Sequence, residues 1–149
     1  MLIRNILEES VRKFDEVKAV KWLKKKEIME RSYGELMENV VSTRKGLLAE
    51  GFEGKHIALI GTSSVEWMES YLGIITGCTT AVPLDAALPC EDLIDLLNRS
   101  DSVALFLSPK LKPYLDAFLE NCPKLQKVWM LQEAVSYTHL RAHETSLHL

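Results

Sequence analysis

A short run of small polar residues, Gly61 to Ser64, follows an apolar segment and precedes a stretch with helical periodicity. Backbone amides at the start of a helix can bind an anion, so phosphate binding is one interpretation of this turn. The run has a single glycine and no lysine, so it matches neither the dinucleotide-binding nor the Walker phosphate-binding sequence. The preferred interpretation is a plain capped turn, in which Ser63 and Glu66 form a capping box.

Two other polar segments also follow predicted strands. In open α/β sheets, ligands bind beyond the carboxyl ends of the strands. The candidate positions for a site are therefore Gly61–Ser64, Asp85–Pro89 and Ser108. A carboxylate at a strand end could bind a ligand, but Asp85 is better explained as a cap of its own loop.

Two acids and one thiol have side chains that could carry acid–base or nucleophilic chemistry. Glu66 is already explained as a capping partner, and Glu69 is predicted to be a charge on the helix face. Cys78 lies beside an apolar strand with no basic partner nearby in sequence, which favours packing over a nucleophilic role. The tryptophans fall in three separate elements and are predicted core residues: Trp22, Trp67 and Trp129. No catalytic, cofactor-binding or metal-ligating residue is assigned.

The first elements that the sequence predicts are a helix and a hairpin. Apolar residues at helical spacing predict an amphipathic helix over 2–14, and strands are expected over 19–23 and 28–33. A basic run, Lys24 to Lys26, lies between these strands and could bind phosphate, although a solvated hairpin tip is preferred. Ser32 and Glu35 form a capping box for a helix that should end near Gly51.

The rest of the chain alternates between strands and helices. Strands are predicted at 57–60, 79–84, 103–107 and 127–131, and helices at 65–77, 90–99 and 109–121. Gly73 and Gly77 should let the 65–77 helix approach the sheet closely. The pattern predicts an α/β fold of alternating β-α units with a mainly parallel sheet, preceded by an N-terminal helix and a β-hairpin.

Length and composition place limits on the classes of function. The chain has 149 residues and a net charge of −3, which gives no reason to expect a nucleic acid or an acidic membrane as partner. Three cysteines at unrelated spacings favour reduced thiols in a cytoplasmic protein. The sequence shows no signal peptide and no apolar run long enough for a transmembrane segment.

Several segments together resemble the adenylate-forming (AMP-binding) enzymes, the superfamily of acyl-CoA synthetases and related ligases. Ser32 to Leu36 resembles the family's S/T-Y-x-E-L helix entry, and Gly51 to Ile60 is similar to G-hydrophobic-x-x-G-D-x-V-A-I. Ser64 to Trp67 resembles S-P-E-W, with valine in place of proline. Gly73 to Leu84 resembles G-x-x-x-A-G-A-x-x-V-P-L, and Asp92 to Ser100 resembles E-L-x-x-x-L-x-x-S. These segments occur in family order over roughly residues 30–107.

The resemblance implies an ATP-dependent acid–thiol ligase. Such enzymes convert a carboxylate, here expected to be a fatty acid, into an acyl-adenylate and then into a thioester with coenzyme A. ATP, Mg²⁺ and CoA are expected for the full-length parent, and none of them for this part alone. The family's phosphate loop, its Thr-Gly-Asp motif and its C-terminal lysine do not occur in residues 1–149. The resemblance therefore implies an incomplete large N-terminal domain that is not active by itself.

The last residues differ in character from the rest. His139 and His143 are spaced four apart, as helix-borne metal ligands would be, and His148 follows. A different interpretation is preferred, because Val135 to Thr145 resembles translated sequencing-adapter read-through. Residues 1–134 are then the truncated ligase domain, and residues 135–149 are a non-native tail, expected to be disordered or weakly helical.

One alternative stays open, which is a small non-catalytic α/β module that binds a ligand or partner. A fragment should expose an apolar sheet edge and an uncovered helix face, whereas a complete module should be soluble and unfold cooperatively.

Overall fold

The computed structural model describes residues 2–132, 135–138 and 141–146. The helices are α1 (Ile3–Phe14), α2 (Tyr33–Ala49), α3 (Val65–Ile75), α4 (Cys90–Arg99) and α5 (Leu115–Asn121), with a 3-10 helix over Pro109–Tyr114. The strands are β1 (Lys18–Lys24), β2 (Glu27–Ser32), β3 (His56–Ile60), β4 (Thr80–Leu84), β5 (Ser102–Leu107), β6 (Lys127–Met130), β7 (Val135–Thr138) and β8 (Arg141–Ser146).

The sheet arrangement confirms the predicted α/β class. β1 and β2 form a separate antiparallel hairpin, and the other strands form one sheet in the order β4-β3-β5-β6-β7-β8. The pairs β3–β4, β3–β5 and β5–β6 are parallel, whereas β6–β7 and β7–β8 are antiparallel. Crossover helices between the parallel strands position the strand ends at one edge of the sheet.

Apolar residues cover both faces of the sheet. Ala58 and Ile60 of β3 pack in one core with α4 and α5, and Ile57 and Leu59 pack in a second core on the opposite face. All four are fully buried, because successive side chains of a strand point to opposite faces. The unbroken apolar run of β3 therefore reflects a strand that is covered on both sides.

The start of α2 follows the predicted capping box. The Ser32 hydroxyl accepts a hydrogen bond from the Glu35 amide, and the Glu35 carboxylate accepts one from the Ser32 amide, both at 3.1 Å. The hydrogen bond from the Ser32 amide is the main reason that the pKa of Glu35 lies below its ordinary value. Gly51 follows the helix with a φ of +76°, the left-handed conformation in which glycine carries no steric penalty. Leu48, near the C-terminal end of the helix, is 55% exposed.

Gly73 of α3, and Gly77 just beyond its end, face α2, which corrects the prediction that they approach the sheet. A Cβ at Gly73 would lie 2.5 Å from Cβ of Thr43 and 3.1 Å from the Val40 carbonyl oxygen, and both of these residues belong to α2. Gly73 is therefore the point at which two helices come into close contact. A Cβ at Gly77 would meet the side chain of Arg44, also on α2, at 3.4 Å.

Two other predictions about secondary structure are wrong. The single helix expected over 109–121 is divided into the 3-10 helix and α5, and Pro113 lies inside the 3-10 segment. Proline has no N–H to donate to an α-helical hydrogen bond. The segment 135–149 was expected to be disordered or weakly helical, but residues 135–138 and 141–146 form strands.

Candidate functional site

The carboxyl ends of three neighbouring strands surround one cleft. Gly61 to Ser63 follow β3, Asp85 to Ala87 follow β4, and Ser108 follows β5, and all of them line a volume of about 560 Å³. Lys110 and Leu111, at the start of the 3-10 helix, close another side. The structure thus brings together the three segments that the sequence marked as candidate positions, as expected for the edge of a parallel sheet.

Close backbone packing joins two walls of the cleft. The Ser108 amide donates a 2.9 Å hydrogen bond to the Ile60 carbonyl oxygen, so β3 and β5 remain paired up to the cleft. A Cβ at Gly61 would overlap the Ser108 hydroxyl and would lie 3.1 Å from its Cβ. Only glycine at position 61 leaves room for Ser108, which is 5% exposed and makes no capping hydrogen bond with its side chain.

The helix start beside the cleft is capped by a different serine from the one predicted. Ser64 accepts a 3.0 Å hydrogen bond from the Trp67 amide, so the predicted capping box of Ser63 with Glu66 is wrong. Glu66 instead accepts a long contact of 3.4 Å from Gln132. Because Ser63 is not needed as the cap, its exposed hydroxyl lines the cleft with that of Thr62.

The charged groups of the cleft are one acid and one base. Asp85 Oδ1 accepts a 2.9 Å hydrogen bond from the Ala87 amide, so the interpretation of Asp85 as a loop cap is confirmed. Lys110 is the one cation among the described residues that line the cleft. Hydroxyls, an ammonium group and the start of α3 together suit recognition of a polar or anionic group. The described lining contains neither cysteine nor histidine as nucleophile or base.

A buried charge cluster between α3, α2 and β2 was not predicted from the sequence. Glu69 was predicted to be a charge on the helix face, but it is 4% exposed. Its carboxylate accepts a 2.7 Å hydrogen bond from Asn39 of α2 and lies 3.1 Å from Nε of Arg31 in β2. Burial raises the pKa of Glu69, and the Asn39 hydrogen bond and the Arg31 charge only partly oppose this shift. Its helical spacing was a usable signal, because Val65 and Gly73, four residues away on either side, are also buried.

The cysteines have three different environments and no disulfide. Cys78 is exposed, so the prediction that it packs beside the strand is wrong. Burial raises the pKa of Cys90, and it raises the pKa of Cys122 to about 11, so neither thiol is activated as a nucleophile.

Only one tryptophan fully matches the prediction of a core position. Trp129 is 3% exposed and stacks on Phe106, with ring centroids 5.0 Å apart. Trp67 is half-buried and stacks on Tyr71, and Trp22 is half-buried beneath the guanidinium of Arg31.

The described residues provide neither a metal-binding cluster nor a membrane-spanning helix. Among residues 2–132 and the described parts of 135–146, no group of His, Cys, Asp and Glu is arranged to hold a metal ion. His139 and His148 lie outside the described residues, and only the backbone is described at His143. No helix in the described part of the chain is both long and apolar enough to cross a membrane.

Comparison of the chain with known protein families gives one match that covers most of its length. The family model described as AMP-binding enzyme matches residues 7–147. No curated protein matches the chain.

Solved structures of ligases share the fold. A coronafacic acid ligase from Pectobacterium brasiliense superimposes with a TM-score of 0.80 at 20% identity, over 88% of this chain and 26% of its own. An anthranilate CoA ligase in complex with anthranoyl-AMP gives a TM-score of 0.75 at 17% identity, over 88% of this chain and 25% of its own. The N-terminal domain of FACL13 from Mycobacterium tuberculosis gives 0.76 at 18% identity, over 87% and 33%. The chain therefore spans about a quarter to a third of the length of these proteins.

Proposed function

The chain belongs to the AMP-binding enzyme family, and we propose that it is the first part of an ATP-dependent ligase that activates a carboxylate. In the proposed reaction, a carboxylate oxygen of the acid attacks the α-phosphorus of ATP. The acyl-adenylate forms, and pyrophosphate leaves with the electron pair of the broken phosphoanhydride bond. The sulfur of coenzyme A then attacks the acyl carbon and its thiol proton is released. The bond between that carbon and the phosphate oxygen of AMP breaks, AMP leaves with the electron pair of this bond, and the thioester remains.

The family match over residues 7–147 is the observation that carries this proposal. The solved relatives support a carboxylic acid as the substrate class, because one holds anthranoyl-AMP and another is a coronafacic acid ligase. A fatty acid is the substrate we propose for this protein. We also propose a cytoplasmic location, which is supported by three thiols that form no disulfide.

We propose that the catalytic residues and the Mg²⁺ site belong to a later part of the parent chain. Among the described residues of this part, no cluster of His, Cys, Asp and Glu is suited to a metal ion. The apolar side of α1 is uncovered, because Ile3, Ile6 and Phe14 are each at least half exposed. This supports the proposal that a later part of the parent chain completes the domain. The contribution of this part would be scaffold, together with the cleft that Ser108 and Lys110 line.

The test is to read the source DNA past codon 134 and to express the complete open frame. We expect the frame to continue into a Ser/Thr/Gly-rich phosphate loop. The parent should then catalyse acid-dependent exchange of pyrophosphate into ATP, whereas the 149-residue chain should not. A native gene that stops after Leu149 would overturn the ligase proposal and would favour the small binding module.

Variants of the parent would test the cleft separately. Ser108→Ala and Lys110→Gln should raise KM for one of the three substrates and leave kcat nearly unchanged, because uniform binding energy is lost. Lys45→Gln, which removes an exposed charge of α2, is the matched control. Unchanged KM values for ATP, acid and CoA would exclude the cleft from substrate binding without affecting the ligase proposal.

A further inference from the structure

The β1–β2 hairpin carries an exposed apolar pair near its tip. Leu23 and Ile28 are direct cross-strand partners, so their side chains lie on the same face of the hairpin. They are 74% and 72% exposed, the two most exposed large apolar residues in the described part of the chain. The opposite face is turned inward, since Trp22 and Met29 are half-buried. The exposed pair is therefore a feature of the outer face alone.

Three consecutive lysines form the turn beside this pair. Lys24 is the last residue of β1, and Lys25 and Lys26 form the two-residue loop. All three are exposed, and none has an ion-pair partner among the described residues. Glu27 is the single acid next to them, so the tip carries an excess of positive charge.

The backbone conformation of the turn disfavours lysine at both positions of the loop. Both Lys25 and Lys26 have positive φ, at 48° and 69°. A two-residue turn of this kind is normally built from Asn-Gly or Gly-Gly, because most side chains disfavour the left-handed region. The sequence therefore keeps two ammonium groups at positions where local folding would favour other residues.

Charge is also distributed unevenly over the chain. Residues 18–32 contain six basic and two acidic side chains, a net charge of +4, although the whole chain has a net charge of −3. The overall negative charge gave no reason to expect an acidic membrane as partner. That expectation does not hold for the hairpin, because electrostatic attraction over short distances depends on the local charge.

From these observations we propose that the hairpin tip is a docking element for an anionic lipid surface. Leu23 and Ile28 enter the interfacial region of the bilayer, while Lys24, Lys25 and Lys26 contact the anionic headgroups. Apolar insertion beside basic side chains is the combination that retains proteins at such surfaces. The docking is peripheral and reversible, and it is independent of the proposed ligase activity.

Vesicle co-sedimentation of the 149-residue chain tests the proposal. We expect binding to phosphatidylcholine vesicles that contain about one-third phosphatidylserine and little binding to phosphatidylcholine alone. The triple variant Lys24→Gln/Lys25→Gln/Lys26→Gln should weaken the partition coefficient about a hundredfold, at about fivefold for each lysine near the surface. Higher salt should weaken binding of the unchanged chain in the same direction.

Matched controls distinguish a specific effect of the hairpin from a general effect of losing charge or apolar surface anywhere on the chain. Lys13→Gln/Lys45→Gln/Lys55→Gln removes the same charge elsewhere and should weaken binding far less. Leu23→Ser/Ile28→Ser should abolish binding, whereas Val17→Ser/Leu48→Ser, at two other exposed apolar positions, should not. We expect each variant to fold, because every substituted side chain is exposed. Circular dichroism would verify this.

Three outcomes would overturn the proposal. They are no binding to anionic vesicles, equal losses in the hairpin variants and their controls, or self-association without lipid that Leu23→Ser/Ile28→Ser abolishes. The last outcome would assign the apolar pair to contact with a second copy of the chain.

Discussion

Glu69 and Arg31 form an ion pair between elements that are far apart in the sequence. Oε2 of Glu69 in α3 lies 3.1 Å from Nε of Arg31 in β2, and the Glu69 side chain is 5% exposed. The hairpin forms a sheet separate from the six-stranded one, so this pair is one of the contacts that hold it against the helices. A carboxylate in this position requires a partner, because an unpaired buried charge is strongly destabilising.

Arg31→Gln should therefore lower the free energy of unfolding by about 1–3 kcal/mol, less than for a fully buried pair because the Arg31 side chain is 23% exposed. Urea denaturation would measure the change. Arg12→Gln, in an exposed pair at 3.9 Å, is the control and should cost less than about 0.5 kcal/mol. The double variant Arg31→Gln/Glu69→Gln should lose less stability than Arg31→Gln, since it no longer buries an unpaired charge. Equal losses in the single and double variants would contradict this explanation.

The raised pKa of Glu69 predicts a specific dependence of stability on pH. Its ordinary pKa is 4.5 and burial raises it, so above pH 4.5 the folded state binds more protons than the unfolded state. The contribution of Glu69 to stability is therefore lost as pH rises through this window. Glu69→Gln has no such titration and should gain stability relative to the unchanged chain as pH rises. Urea midpoints of the two proteins from about pH 5 to about pH 8 would test this, and parallel curves would contradict it.

The contrast between Ser32 and Glu69 shows what the sequence could predict. The capping box of Ser32 and Glu35 joins residues three apart, so local spacing determines it and the structure confirms it. The environment of Glu69 depends on Asn39 and Arg31, which are 30 and 38 positions away in the sequence. The charge of its side chain alone led to the wrong prediction that it is an exposed helix-face residue. The cleft lies between these cases, because the order of strands and helices predicted which loops meet. The position of Lys110 beside them depends on the 3-10 helix, which the sequence did not predict.

The identity of the cap of α3 gives a prediction with its own control in the preceding residue. Ser64→Ala should cost about 1 kcal/mol of stability, because the Trp67 amide loses its hydrogen-bond acceptor. Ser63→Ala should change stability by less than about 0.5 kcal/mol, because Ser63 is exposed and does not cap the helix. Thermal or urea unfolding of both variants would decide between the two serines. A larger loss in Ser63→Ala would support the cap predicted from the sequence.

The contact between α2 and α3 predicts that Gly73 tolerates no side chain. Gly73→Ala should destabilise the protein by about 1–3 kcal/mol, because the new methyl group would lie 2.5 Å from Cβ of Thr43. Thr43→Gly should destabilise by itself, since glycine is unfavourable within a helix. The double variant should lose less than the sum of the two single variants, because removing the Thr43 side chain makes room for the methyl group. Strict additivity in urea unfolding would show that the two positions are not in contact.

Tyr137 provides the test of the last residues of the chain. It lies in β7, pairs with Val128 of β6 and is 5% exposed within the core on the α4–α5 side. If this strand is part of the fold, Tyr137→Ala should lower the free energy of unfolding by about 3 kcal/mol or more, as removal of a buried aromatic ring does. Tyr137→Phe keeps the ring and should cost much less. If residues 135–149 are instead an unrelated appendage, as their resemblance to adapter read-through suggests, both variants should unfold at the same urea concentration as the unchanged chain. The two variants therefore separate a strand that completes the sheet from a sequence that only follows it.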